Sequence, residues 1–249
     1  MKATSKLTAV LMGGLLLGSV GLADDIEQPI EILAPVEKVF LPTGFDNNDN
    51  AEVILHGEFP TSCYKVGHSS FEVDRAAKVI KVALTAYEYK SSMCTQALTP
   101  YVESIHVGVL AAGVYRVEVA GSDIKESIRI GRSVVSSPDQ YIYAQVDSAR
   151  LINLKSFDQT VLQKIEIEGN YPHTFVGCAV MDRVDIIHVR DDILEVLPIL
   201  KLLENDPVCE RHANSFVHEV EVNSELFGEG LLHVRSINGS SFNRVVNGL

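Results

Sequence analysis

Apolar and polar residues alternate with a period of two along most of the chain. In "ESIHVGVLAAGVYRVEV" (Glu103 to Val119) Ile105, Val107 and Val109 alternate with other residues, the pattern breaks at Ala111-Ala112-Gly113, and it resumes through Tyr115, Val117 and Val119. Alternation of this kind marks a strand with one buried face, and the small-residue break predicts a hairpin between two such strands. "FEVDRAAKVIKVALTAYEY" predicts a second hairpin turning at Asp74 to Ala77, with "AEVILHGEF" as the strand before it. "PIEIL" at the start and "ESIRI" at the end bring the expectation to about seven short strands, a sandwich number. One stretch is ambiguous. "DDILEVLPILKLL" (Asp191 to Leu203) has the spacing of an amphipathic helix, yet Pro198 suits neither a helix interior nor a central strand. Its counterpart earlier in the chain is β-branched, so an edge strand is the assignment.

That counterpart exists because the chain repeats itself. "LAPVEKVFL" (Leu33 to Leu41) lies over "YAQVDSARL" (Tyr143 to Leu151), Phe45-Asp46 over Phe157-Asp158, and "GEFP" at Gly57 over "GNYP" at Gly169. Cys63 then falls on Cys178 and Cys94 on Cys209, followed by "YVESIHV" at Tyr101 on "FVHEVEV" at Phe216 and Gly121-Ser122 on Gly239-Ser240. The offset between partners climbs steadily along the chain, as two copies of one fold with small loop insertions require. The expected domains are residues 27–132 and 140–249, joined by a linker at 133–139 rich in serine, proline and aspartate. The fold class is therefore all-β, two tandem immunoglobulin-like β-sandwich domains related by internal duplication. In strand count and domain length the chain resembles, from about Pro29 onward, the tandem immunoglobulin-like or fibronectin-like modules of exported bacterial proteins. It departs from antibody domains in having closely spaced cysteines and no tryptophan to pack on them.

The N-terminus adds a compartment. Lys2 and Lys6 precede an uncharged stretch from Leu7 to Ala23, and Gly21-Leu22-Ala23 places small residues where a signal peptidase reads, so residues 1–23 are expected to be a signal peptide cut before Asp24. The alternative is an uncleaved anchor, although a spanning helix wants about 20 apolar residues. No later stretch is long and apolar enough to span. Cleavage removes two lysines and no acid, taking the formal charge from −12 to −14. So acidic a chain is repelled by nucleic acid and by anionic lipid.

"CERHANSFVH" (Cys209 to His218) admits three chemistries: metal ligation by Cys209, His212 and His218, a thiol nucleophile beside an imidazole, or half of a disulfide. An oxidising compartment, an even cysteine count and the same interval in both copies favour Cys63 with Cys94 and Cys178 with Cys209. His212 and His218 stand opposite Ala97 and Glu103 in the first copy, so the fold does not need them. "GFDNNDNAE" offers Asp46, Asn48 and Asn50 at the alternate spacing of calcium ligands, but Ala51 and Gly57 occupy the loop positions where glycine and a bidentate glutamate belong. An Asx-rich turn explains the same residues.

"GHSSF" at Gly67 lacks the closing glycine of a nucleophile elbow and precedes a strand. Tyr87, Tyr89, Tyr141 and Tyr143 are the candidates for a carbohydrate platform in a chain without tryptophan. No glycine-rich phosphate loop precedes a helix, and no cofactor is implied. The sequence thus predicts a non-catalytic, periplasmic or secreted structural or interaction module whose partner is a protein of the envelope or extracellular space. A calcium- or carbohydrate-binding module is the alternative, and a secreted hydrolase the third reading.

Overall fold

The structure, a computed structural model, describes residues 28–90, 93–135, 139–155, 161–172, 178–204, 209, 214–222 and 229–247. The expected signal peptide, Phe157-Asp158 and His212 lie outside them. The first copy contains β1 (Ile30–Leu33), β2 (Lys38–Phe40), β3 (Ala51–Phe59), β4 (Tyr64–Asp74), β5 (Val79–Glu88), β6 (Thr99–Gly108), β7 (Gly113–Val119) and β8 (Lys125–Ile130). The second contains β9 (Ile142–Tyr143), β10 (Gln145–Lys155), β11 (Val161–Asn170), β12 (Cys178–Arg190), β13 (Ile193–Leu203), β14 (Ser215–Val222), β15 (Glu229–Arg235) and β16 (Ser241–Asn247). Each strand has its counterpart eight places further on. In both copies a three-stranded sheet (β2-β3-β6; β10-β11-β14) faces a five-stranded one (β1, β4, β5, β7, β8; β9, β12, β13, β15, β16). Two β-sandwiches result, each around its own core. Leu55, Ile80, Leu84, Tyr115 and Ile128 fill the first, and Ile165, Ile167, Leu194, Val196 and Leu232 the second.

The duplication extends to fine detail. β7 pairs in parallel with β5 from Val79 to Val82, and β1 then takes over the same flank from Thr85 to Glu88. β15 and β9 do the same along β13, over Ile193 to Val196 and then Ile199 to Leu200. At the changeover Ala34 N donates to Leu84 O, and Ala144 N donates to Pro198 O, both at 2.9 Å.

That changeover corrects the edge-strand assignment of Asp191 to Leu203. β13 is a strand, but a central one, with β12 on one side and β15 followed by β9 on the other. The N and C=O of one strand residue point the same way, so the missing N–H of Pro198 faces the gap between β15 and β9, where no ladder donor is needed. A second correction concerns the first predicted hairpin. β6 and β7 are not paired: β6 bonds to β3, and β7 to β5 and β8, so residues 109–112 cross between sheets. Alternation shows that each strand has a buried face and is silent about which sheet holds it. The second predicted hairpin, β4 to β5, is present, closed by Asp74 Oδ1 accepting from Ala76 N and Ala77 N.

Gly57 and Gly169 hold equivalent places where the chain entering each three-stranded sheet passes close by. A Cβ on Gly57 would run into the carbonyl oxygen of Pro35 and the Tyr101 hydroxyl, and one on Gly169 into the carbonyl of Gln145 and the ring of Phe216. Backbone cannot step aside as a side-chain tip can. Gly57→Ala is expected to cost about 1–3 kcal/mol or more through overpacking, read as a lowered denaturation midpoint, with Gly169→Ala showing a similar loss.

Both faces of some strands are buried. In β3, Val53 and Leu55 enter the first core, whereas Ile54 joins Phe40, Ile193 and Leu231 in a separate apolar cluster, with Val102 and Val245 packed against it. In β13 and β15, Leu194 and Leu232 enter the second core while Ile193 and Leu231 face the other way. The outer face of the first copy's three-stranded sheet therefore lies on the outer face of the second copy's five-stranded sheet. Four sheets are stacked in the order five, three, five, three.

Candidate functional site

Among the described residues, the junction between the copies gathers most of the buried charged side chains, Glu166 of β11 apart. Alternate residues of a strand share a face, so Leu231, His233 and Arg235 of β15 line up toward the first copy, as do Ile193, Glu195 and Leu197 of β13 and Ser241, Asn243 and Val245 of β16. Arg235 is 5 % exposed and Glu195 2 %. Arg235 Nε donates to Glu195 Oε1 at 3.3 Å and Nη2 to Thr43 O at 3.1 Å, and the guanidinium sits 4.1 Å above the Phe45 ring. Thr43 Oγ1 donates to Glu195 Oε2 at 3.4 Å. One arginine of the second copy is thus clamped to backbone and ring of the first, with its countercharge at its side.

A second polar knot lies beyond the apolar cluster. Ser241 Oγ donates to Glu52 Oε2 at 2.6 Å, while Asn243 Nδ2 donates to the same oxygen at 3.3 Å and to Ser104 Oγ at 2.8 Å. Because Asn243 spends its amide nitrogen there, its Oδ1 is the acceptor for His233 Nδ1 at 2.7 Å, which fixes the imidazole tautomer. His233 is fully buried, and its Nε2 meets no hydrogen-bond partner among the described residues. At the rim Lys38 Nζ lies 3.3 Å from Asp192, which also pairs with Arg190 at 3.1 Å.

Burial, with Arg235 close by and Asn243 opposing, pushes the His233 imidazole down to about 3. A histidine whose folded pKa is depressed contributes stability that is complete above its unfolded value near 6.5 and is lost as pH falls toward 3. Burial pushes the carboxyls of Asp49, Asp139 and Glu195 above the usual carboxylate range, with Arg235 pulling each back, so these groups bind protons more readily when folded and oppose the histidine's effect. His233→Asn isolates the histidine. Relative to this variant the wild type is expected to lose roughly 1.4 kcal/mol per pH unit below about 6.5, measured by denaturant titration.

Next to the Arg235 clamp is a cleft of about 240 Å³ lined by Thr43, Asp49, Asp139, Tyr141, Glu195 and Arg235. The Asx-rich loop forms part of its wall. Asp46 Oδ1 accepts from Asn48 N at 3.0 Å, Asp49 Oδ2 from Asp46 N at 2.8 Å, and Asp49 Oδ1 from Asp139 N at 3.3 Å. Asn47 Oδ1 accepts from Ser133 N at 2.7 Å, Asn48 Nδ2 donates to Val135 O at 3.1 Å, and Asn50 packs beside Gly239. Of the candidate calcium residues, Asp46 thus holds the turn and Asn48 binds it to the connecting segment. Among the described residues no group of three or more His, Cys, Asp or Glu is disposed to hold a metal ion.

Both expected disulfides are present, Cys63 to Cys94 and Cys178 to Cys209, each with Cα atoms 5.3 Å apart. Each ties the segment that follows β3 or β11 to the one that leads into β6 or β14. His218 lies half-buried on β14 opposite Ile167, and so shares the core-facing side of its sheet. "GHSSF" runs along β4, where Ser69 Oγ donates to Glu103 Oε1 at 3.0 Å. Of the tyrosines, Tyr143 is buried at the junction, burial pushing its hydroxyl up to about 12, and Tyr141 carries Arg183 5.1 Å above its ring.

Glu195, Arg235, His233, Asn243 and Glu52 were not singled out by the sequence. Their one signal is the loss of alternation in β13 and β3, whose burial is nearly continuous, whereas β5, the equivalent of β13, alternates.

Residues 53–130 match the family described as the ORF11 beta-sandwich domain, a stretch running from within β3 to the end of β8. No curated protein and no solved structure matches the chain. Among the described residues no helix is long and apolar enough to cross a membrane.

Proposed function

We propose that the protein is an exported, non-catalytic structural or protein-interaction module that works as one rigid block, in the periplasm or outside the cell, in the manner of the tandem modules of exported bacterial proteins that it resembles. One observation carries this reading: the buried ionic groups at the junction are held by neighbouring protein groups. Arg235 holds Glu195 and Thr43, and Glu52 holds Ser241 and Asn243. Two disulfides support an oxidising compartment. Rigidity is the property such a module offers a partner, since a surface held in its bound shape loses little entropy on docking.

The test is expression of the full chain with its N-terminus intact, followed by cell fractionation, N-terminal sequencing and a non-reducing peptide map. Exported protein beginning at Asp24, with both cystines formed, is the expected result. Cytoplasmic protein beginning at Met1 with reduced thiols, or a purified chain that hydrolyses ester, peptide or glycosidic substrates, contradicts the proposal.

A further inference from the structure

The packing of the two copies is head to tail. A three-stranded outer face of one lies on a five-stranded outer face of the next, which leaves one face of each kind open at the two ends of the stack. The open five-stranded face, on the first copy, displays Glu72 beside Lys81, Lys81 beside Glu118, and Glu118 beside Lys125 across four neighbouring strands. Arg116 and Arg129 stand on the same exposed face. With Lys65 and Glu31, both opposite Tyr87, and Asp74, opposite Val79, also on this face, five cations against four acids make it net positive by one, on a chain whose formal charge is −12.

The open three-stranded face, on the second copy, has the opposite sign. Where the junction uses the row Phe40, Ile54, Ser104, the register places Arg150, Glu166 and Glu219 in the second copy. Glu168 and Val217 stand for His56 and Val102, and Lys164 and Glu221 for Glu52 and His106. Two cations against four acids give a net charge of minus two, with Glu166 buried beneath its ion pair with Arg150, Glu219 paired with Lys164, and Glu168 and Glu221 in excess. Val217, in the place of the junction's Val102, is 66 % exposed.

We propose that the open faces bind a second copy of this chain. The acidic three-stranded face of one molecule stacks on the basic five-stranded face of the next and repeats the contact already made inside the molecule. The proposal deepens the module reading and rests on it, naming the partner as the chain itself. Such a contact is heterologous, so it extends into an open chain of molecules rather than closing a dimer. With charges in place of the apolar row of the internal junction, this second contact is electrostatic in origin, weaker, and sensitive to salt.

Sedimentation velocity of the full-length protein tests it. In about 0.01 M salt, where charges act over about 30 Å, the sedimentation coefficient is expected to rise with protein concentration, and the rise is expected to vanish in about 1 M salt, where their reach is about 3 Å. K81E/R116E and E219K/E221K change exposed residues at opposite ends of the stack. Each alone is expected to weaken self-association about tenfold or more, with an unchanged circular dichroism spectrum. Mixing the two variants restores association, because each reversed face then meets a complement. A wild type that stays monomeric in low salt overturns the stacking, as does association that survives either reversal or a mixture that stays monomeric. The module reading is decided separately, by fractionation and peptide mapping of the exported chain.

Discussion

Replacing Arg235 by alanine is expected to destabilise the protein by about 3–5 kcal/mol, because it strands Glu195 as a buried carboxylate without its countercharge. The guanidinium also closes the junction through Thr43 O and the Phe45 ring, so the same change loosens the contact between copies. Glu195→Ala should cost a similar amount for the mirror reason. The double variant E195L/R235M separates the two contributions. If the penalty comes from an unpaired charge, replacing both partners by apolar side chains costs much less than the sum of the single changes. Equilibrium denaturation of the four proteins gives that coupling directly.

The second large effect concerns the cystines. Opening either, by Cys63→Ala with Cys94→Ala or by Cys178→Ala with Cys209→Ala, releases a loop spanning a sequence separation of 31. Loop closure of that length is worth roughly 3.7 kcal/mol on the chain-entropy model, a large share of the roughly 5–15 kcal/mol that holds a domain. The copies share buried surface, so the loss is not confined to the copy that was cut. Removing the second cystine is expected to lower the unfolding midpoint reported by Tyr101 and Tyr115 of the first copy. Two separate transitions, with the first copy unaffected, would show that the junction contributes little.

How much of this was legible beforehand follows from what a sequence pattern measures. A strand with one wet face alternates, and β5, β7 and β8 could be read for that reason. β13 lies between a core and a neighbouring copy, so "ILEVLPIL" carries no period, and its proline argued for an edge when it marks the changeover between two flanking strands. The cysteine pairing was readable because two copies of the same interval exclude the crossed alternatives. Glu195 and Arg235 were not, since an acid and a base in two distant strands look solvated until the topology brings them together. Asp46, Asn48 and Asn50 drew attention by their spacing; in the fold Asp46 and Asp49 hold the turn's own backbone, and Asn48 reaches Val135 of the connecting segment.

The order of the four sheets is the claim on which the rest depends. A zero-length carbodiimide cross-link map of the monomer tests it most directly, since Lys38 Nζ lies 3.3 Å from the Asp192 carboxylate across the junction. A linked peptide pair joining Lys38 to Asp192 within one chain is the predicted result. A map that lacks it, and instead joins Asp192 to Lys81 or Lys125 within the monomer, would mean that the copies meet through different faces and would contradict the account.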